Sequence, residues 1–288
     1  MNIIESIVLG IIQGLTEFLP ISSSGHLALA QKMFGMQNAG FFLEALLHIG
    51  TLVAVFIAFR KLIAGLFKAL FTMMGKIFRG KFSLKNAEPC ERMLLMLIVS
   101  CLPLFVALIF KDKAEMLKDS LWTVGAALIV NSVILFVCDR LPDRKKDASN
   151  MGIGNSLAVG FMQAVAIIPG ISRSGSTITA GVASGLDREF AAQYTFILSI
   201  PTILAGAAVS FKDAVAENAI IAQDIPAYIV GVVVSGVVGF FAIRLLQYIH
   251  TEIQKIYHFF GIQFRCRRGG DNFQHSKRSL NGAKEKKR

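Results

Sequence analysis

The sequence predicts an all-α polytopic membrane protein, an inverted-topology repeat with two re-entrant helix–loop–helix hairpins and five clear spanning helices, the sixth altered. Three observations predict it. Hydrophobic residues make up 54% of the 288-residue chain and charged residues 17%, with mean hydropathy +0.58; soluble domains carry about 25% charged residues. Five apolar runs approach the ~20 residues that cross a bilayer as a helix. Two further apolar stretches are each interrupted by small polar residues, and they align with one another without a gap.

The first interrupted stretch is residues 3–33, broken at 20–25 by PISSSG. Its acids Glu5 and Glu17, and the lack of a basic start, argue against a cleaved leader. Each half is only about 15 residues, too short to span, so the chain is expected to enter and turn back. A break at membrane depth is tolerated only when buried in protein or lining a wet cavity. Spans are expected near residues 41–59, 93–110 and 121–138. The second interrupted stretch, 153–182, breaks at 169–175 with PGISRSG, and spans near 190–211 and 225–249 follow. At an offset of 150, Gly10 meets Gly160, Gln13 meets Gln163, Ser22 meets Ser172 and Gly25 meets Gly175. This is an internal duplication. Three spans, an odd number, separate the two hairpins, so the halves insert with opposite topology. Residues 1–250 are read as one membrane domain, with repeat 1 at about 1–140 and repeat 2 at about 150–250. Residues 251–288 form a short apolar segment and a basic polar tail.

Loop charge orients the chain. Residues 60–92 hold eight basic residues and two acids, and 212–224 one against three. The first is read as a cytoplasmic loop, which puts the first hairpin on the outer side. Net charge is +11, but much of it lies in the tail. No basic helix or aromatic–basic interleave is present, so nucleic acid is not expected as a partner. The four cysteines show no zinc or disulfide spacing.

Ionisable groups inside spans are costly and point to function. Gln13 and Glu17 are four apart and share a helix face. Such an oxygen pair suits a hard divalent cation, Mg²⁺ or Ca²⁺; the competing reading is a helix–helix hydrogen bond. After Pro20, Ser22 to Ser24 start a new helix whose N–H groups face an anion. Ser23 and His26, three apart, form a minimal nucleophile-and-base pair; the competing reading is an ordinary cap. The second break repeats the helix start and replaces Ser23 with Arg173, whose planar fork fits phosphate oxygens. Ser172, Ser174, Ser176 and Thr177 add donors there. A structural Arg173–Glu17 pair is the alternative. Glu44 and His48 share a face of the third helix and read equally as bracing or as supporting groups of the site. Asn131 and Gln163 read as polar contacts between helices.

The segments QGLTEFLPISSSGHL (13–27) and PGISRSGSTITAG (169–181) strongly resemble the undecaprenyl-diphosphate phosphatases of the bacitracin-resistance type; LEALLHIGTLVAV and FILSIPTILAG are similar to further segments of that family. The resemblance covers roughly residues 1–250. It implies a multi-pass enzyme of the bacterial inner membrane, its active site open to the outer side, that hydrolyses undecaprenyl diphosphate to undecaprenyl phosphate and phosphate. That reaction recycles the lipid carrier for the cell wall and confers bacitracin resistance. The resemblance also implies a divalent metal held by Glu17 and Gln13, catalytic Glu17, Ser23, His26 and Arg173, and phosphate binding by Arg173 and its neighbouring hydroxyls. Gln13 stands where some members carry a carboxylate. Family members end on another spanning helix, whereas here a basic segment follows residue 264. Expected partners are the polyprenyl diphosphate and membrane lipid, with room for a homodimer. The rival reading is a transporter or flippase for phosphorylated polyprenyl lipid, because inverted repeats with broken helices also build carriers.

Overall fold

The computed structural model describes residues 2–35, 41–142, 144–216 and 221–248. All regular elements among them are helical. They are α1 (Ile3–Phe18), α2 (Ser23–Met33), α3 (Phe41–Ala58), α4 (Arg60–Phe78), α5 (Pro89–Leu108), α6 (Lys111–Met116), α7 (Leu121–Arg140), α8 (Ile153–Val165), α9 (Arg173–Ala183) and α10 (Arg188–Ala216). A last helix, α11 (Ala222–Tyr248), opens with a 3-10 turn.

Helices α5, α7, α10 and α11 are long and apolar enough to cross a membrane. Helix α3 meets that criterion only together with α4, from which it is bent by 85°. The outer surface carries large apolar side chains such as Trp122, Phe105, Phe161 and Phe241, which a water-facing monomer would not display in such number. The protein is a multi-pass membrane protein.

The basic connection at 60–92 contains a helix, α4, that the sequence reading did not describe. Ile63, Leu66, Ala69 and Met73 recur at helical spacing on its buried face, while Lys61 and Lys68 are exposed. Counting charge alone hid this period. The altered sixth span lies outside the described residues.

The two copies exchange packing partners. A Cβ on Gly10 in α1 would lie 2.8 Å from the Gly231 carbonyl oxygen of α11. A Cβ on its repeat-mate Gly160 in α8 would lie 2.5 Å from the Ser100 carbonyl oxygen of α5. Each half-length helix is thus pressed onto a long helix of the other half at a residue where no side chain fits. Helices α3 and α10 pack side by side, and Phe18 at the end of α1 sits edge-on to Phe196 of α10 at 5.6 Å. These contacts bring both breaks to one place between the helices.

Candidate functional site

Both breaks end in a helix N-terminus. Ser22 caps α2, its hydroxyl accepting from the Gly25 N–H at 3.3 Å, and Ser172 caps α9 by accepting from the Gly175 N–H at 3.1 Å. The tips touch: a Cβ on Gly25 would lie 3.1 Å from Gly170 Cα, and one on Gly175 would lie 3.1 Å from the Pro20 carbonyl oxygen. Asn131 of α7 joins them. Its amide donates to the Pro20 carbonyl at 3.0 Å, and its oxygen accepts the Ser172 N–H at 3.0 Å.

Glu17 closes α1 at the centre of the site and is 6% exposed. Gln13, one turn earlier, donates to its Oε2 at 3.1 Å. Ser23, the first residue of α2, donates to the same oxygen at 2.7 Å. Arg173, the first residue of α9, forms an ion pair with Oε1. His48 of α3 places Nε2 3.3 Å from Oε2, while its Nδ1 faces the Glu44 carbonyl oxygen at 2.7 Å. Both ring nitrogens meet acceptors, so only the imidazolium satisfies both. One carboxylate therefore gathers four donors from α1, α2, α3 and α9.

Glu17, Ser23, His48 and Arg173 line a chamber of about 280 Å³, with Ser22, Ser24, Ser172, Ser174 and Lys118 on its wall, while Gln13 is fully buried and does not reach it. Lys118 pairs with Glu44, which also accepts from Gln31 at 3.1 Å. The cations Arg173, His48 and Lys118 face the anions Glu17 and Glu44, and two helix N-termini add partial positive charge. The chamber suits an anion carrying more than one charge.

The other expected residues fall outside it. His26 donates Nδ1–H to the Ser22 carbonyl at 2.8 Å and is not among the lining residues. Thr177 turns its hydroxyl back to the Arg173 carbonyl at 2.8 Å, and the Ser176 hydroxyl is buried in helix packing. Glu44 and His48 part company, one toward Lys118 and the other toward Glu17. Lys118 escaped the sequence reading because it sits in a short, charge-balanced connection. The position of His48 relative to α1 follows from packing, not from spacing.

No group of three His, Cys, Asp or Glu side chains is clustered among the described residues, so the chain offers no all-protein cage. The amide oxygen near Glu17 belongs to Gln13, whose Nε2–H, not Oε1, faces the carboxylate; rotation of that amide would make an oxygen pair. Gln13 Oε1 is buried and has no hydrogen-bond partner, one turn from the Glu17 carboxylate. Hard oxygens in small number suit a cation that takes its remaining ligands from phosphate and water.

Fold and site together define a class: a polytopic membrane protein with an ionic, hydroxyl-rich chamber between two interrupted helices. The chain belongs to the bacitracin resistance protein BacA family, whose family model matches residues 6–264. It is similar to proteins named undecaprenyl-diphosphatase. The one from Methanobrevibacter smithii is 40% identical over 216 residues, 74% of this chain and 78% of the relative. That from Desulforapulum autotrophicum is 40% identical over 226 residues, covering 76% and 80%. Undecaprenyl-diphosphatase 3 of Bacillus cereus is 36% identical over 262 residues, covering 90% and 93%.

Proposed function

We propose that the protein hydrolyses undecaprenyl diphosphate to undecaprenyl phosphate and phosphate, returning the lipid carrier to cell-wall synthesis, and that it confers bacitracin resistance in this way. The observation that carries the reading is the meeting of Arg173 and the Ser23 hydroxyl on one carboxylate, Glu17, inside a chamber capped by two helix N-termini. A binding pocket alone needs the cation. A hydroxyl hydrogen-bonded to a buried base adds the means to break a bond.

Arg173 and the Ser172 and Ser174 hydroxyls hold the diphosphate, with Lys118 and the imidazolium of His48 balancing the second phosphate's charge. Ser23 lies within proton-transfer distance of Glu17 Oε2. It either attacks the terminal phosphorus, its proton passing to Glu17, after which water hydrolyses the phosphoseryl ester and frees phosphate, or it orients a water that attacks directly and gives up its own proton. The anhydride P–O bond breaks and undecaprenyl phosphate leaves as the anion. His26 is one turn along α2 from Ser23; with Nδ1–H donated to the Ser22 carbonyl, Nε2 is the ring nitrogen left to take part in proton transfer. Glu17 and, with its amide rotated, Gln13 through Oε1 would hold a divalent cation, Mg²⁺ or Ca²⁺, whose chemistry is to neutralise phosphate charge.

The reading extends to topology. The two interrupted helices are re-entrant hairpins of an inverted repeat, supported by the exchanged crossings at Gly10 and Gly160. The enzyme sits in the bacterial inner membrane with its chamber open to the outer side, as the basic charge of residues 60–92 implies.

Phosphate release from undecaprenyl diphosphate by the purified full chain tests the function. Release with Mg²⁺, its loss with EDTA and its return on adding metal are expected. A folded protein that releases none, yet moves labelled lipid phosphate between leaflets, would make it a flippase instead.

A further inference from the structure

Helix α4 leaves the end of α3 through a bend of 85°. With α3 upright in the bilayer, α4 lies near the membrane plane. Its 19 residues extend about 28 Å. From residue 60 to residue 85 the chain carries seven basic residues and no acid. Cations spread over that length cannot all reach one headgroup layer if the helix stands upright; they can if it lies flat. The opposite end of the bundle lacks this pattern, since residues 212–224 hold one basic residue and three acids.

Three stripes divide the surface of α4. Leu66, Phe67 and Lys68 display them in turn, each about 100° round the helix from the last. Leu66 belongs to the buried row with Ile63, Ala69 and Met73. On that side of the molecule α4 meets α5, and Lys76 is tied to Glu91 of α5 at 2.7 Å. Phe67 opens a second row with Phe71, Met74 and Phe78, at intervals of four, three and four. All four are exposed, Phe78 by 84%. Lys68 belongs to a third row with Lys61 and Arg79, at intervals of seven and eleven, each close to whole turns. These three are exposed as well. One face of the helix thus goes to the protein, and an apolar face and a cationic face remain outside.

We propose that α4 is an in-plane docking surface for anionic phospholipid. Phe67, Phe71, Met74 and Phe78 sink among the upper acyl chains, and Lys61, Lys68 and Arg79 reach the phosphates of the headgroups beside them. The pairing of the two outer rows fixes the partner. An apolar stripe alone would suit a second copy of the chain as well as any lipid. The cations next to it, with no acid on the same helix, favour a negatively charged headgroup. Their long stems lie along apolar surface while the charged ends stay in the polar layer. None of these residues lines the ionic chamber, so the surface does not depend on the phosphatase reading. It holds the corner between α3 and α4 at one depth and gathers anionic lipid around it.

The sequence supplies a control, because its one tryptophan is Trp122, 90% exposed at the start of α7, with the α5 span between it and α4. The test places the full chain in bilayer nanodiscs of phosphatidylglycerol and phosphatidylcholine and quenches tryptophan fluorescence with brominated lipid. The double variant Trp122→Phe, Phe71→Trp carries its single probe on the apolar stripe. Bromines high on the acyl chains are expected to quench that probe most. Brominated phosphatidylglycerol should associate there about five-fold or more tightly than brominated phosphatidylcholine, the selection that one basic side chain near an anionic surface supplies. Trp122 in the unaltered protein should meet the two lipids about equally. Adding Lys61→Gln, Lys68→Gln and Arg79→Gln to the double variant should bring the ratio at position 71 near unity and leave the depth unchanged. Quenching at position 71 by aqueous acrylamide but not by lipid would put the stripe in water and overturn the proposal. Quenching by neither would mean that a second copy covers it, and strongest quenching by bromines at the chain ends would put α4 across the hydrocarbon; each overturns it too. So does a lipid preference that survives the three substitutions or appears equally at Trp122.

Discussion

The two breaks are copies of one scaffold with opposite loads. Both cap a helix with serine, at Ser22 and Ser172, and both press a glycine against the other tip. The first follows Glu17 and continues into Ser23; the second follows Ile167 and continues into Arg173. Acid and hydroxyl thus sit on one copy and the guanidinium on the other, and neither has a complete site alone. They also store turn strain differently. The second break places its left-handed residue on Gly170, at φ 99°, where no Cβ objects. The first places it on Ser22, at φ 72°, the one non-glycine residue with positive φ among those described, at a cost of order 1–3 kcal/mol. The two breaks share a capped helix start, and the residues that differ between them are the ones that carry the charge.

The sharpest test of that division is the residue that differs at the helix start. Arg173→Ala is expected to lower kcat/KM for undecaprenyl diphosphate about 10³-fold, because the phosphate loses its donors and Glu17 is left buried without its cation. Arg173→Lys, a point charge without the fork, should recover only part of the loss. A loss below ten-fold for Arg173→Ala would mean that the second copy is mere support. On the first copy, Glu17→Gln and Ser23→Ala should each cost about 10²-fold or more in phosphate release. If Ser23 forms a covalent intermediate, rapid quench with labelled substrate traps phosphate on the protein and Ser23→Ala abolishes it; trapping that survives the substitution removes Ser23 from that role. Glu17→Gln should also raise the Mg²⁺ concentration needed for half activity.

Smaller effects probe the frame itself. Gly10→Ala and Gly160→Ala should both destabilise the fold by about 1–3 kcal/mol, seen as a lower midpoint of thermal unfolding in detergent. Gly75→Ala, where a Cβ would meet nothing within 4 Å, should instead stabilise α4 by roughly 0.5–1 kcal/mol. A large difference between Gly10→Ala and Gly160→Ala would break the equivalence of the two crossings. Smallest is the strain at the caps. Ser22→Gly should gain about 1 kcal/mol, because relief of the left-handed conformation exceeds a lost cap of a few tenths. Ser172→Gly, at φ −71°, has no strain to relieve and should lose those few tenths. Opposite signs in the two unfolding midpoints are the expected result.

Much of this arrangement was legible in the sequence. The gapless offset of 150 located both breaks, and the four-residue spacing of Gln13 and Glu17 required the shared face that their hydrogen bond uses. The meeting of Arg173 with Glu17 followed from two halves converging on one spot. What was not legible depends on how helices rotate against each other. His48, rather than His26, reaches the carboxylate because α3 turns that face to α1. Lys118 arrives from the connection after α6, whose balanced charge gave no signal. The helix α4 was obscured because its basic residues argued for a loop more loudly than its apolar period argued for a helix.

Asn131 has one further consequence. A carrier built from two copies works by rocking one against the other about its cargo. Here a single carboxamide, using its hydrogen on one tip and its oxygen on the other, stitches Pro20 to Ser172. Parting the tips would break both bonds at once, so this one side chain opposes any opening of the chamber between them.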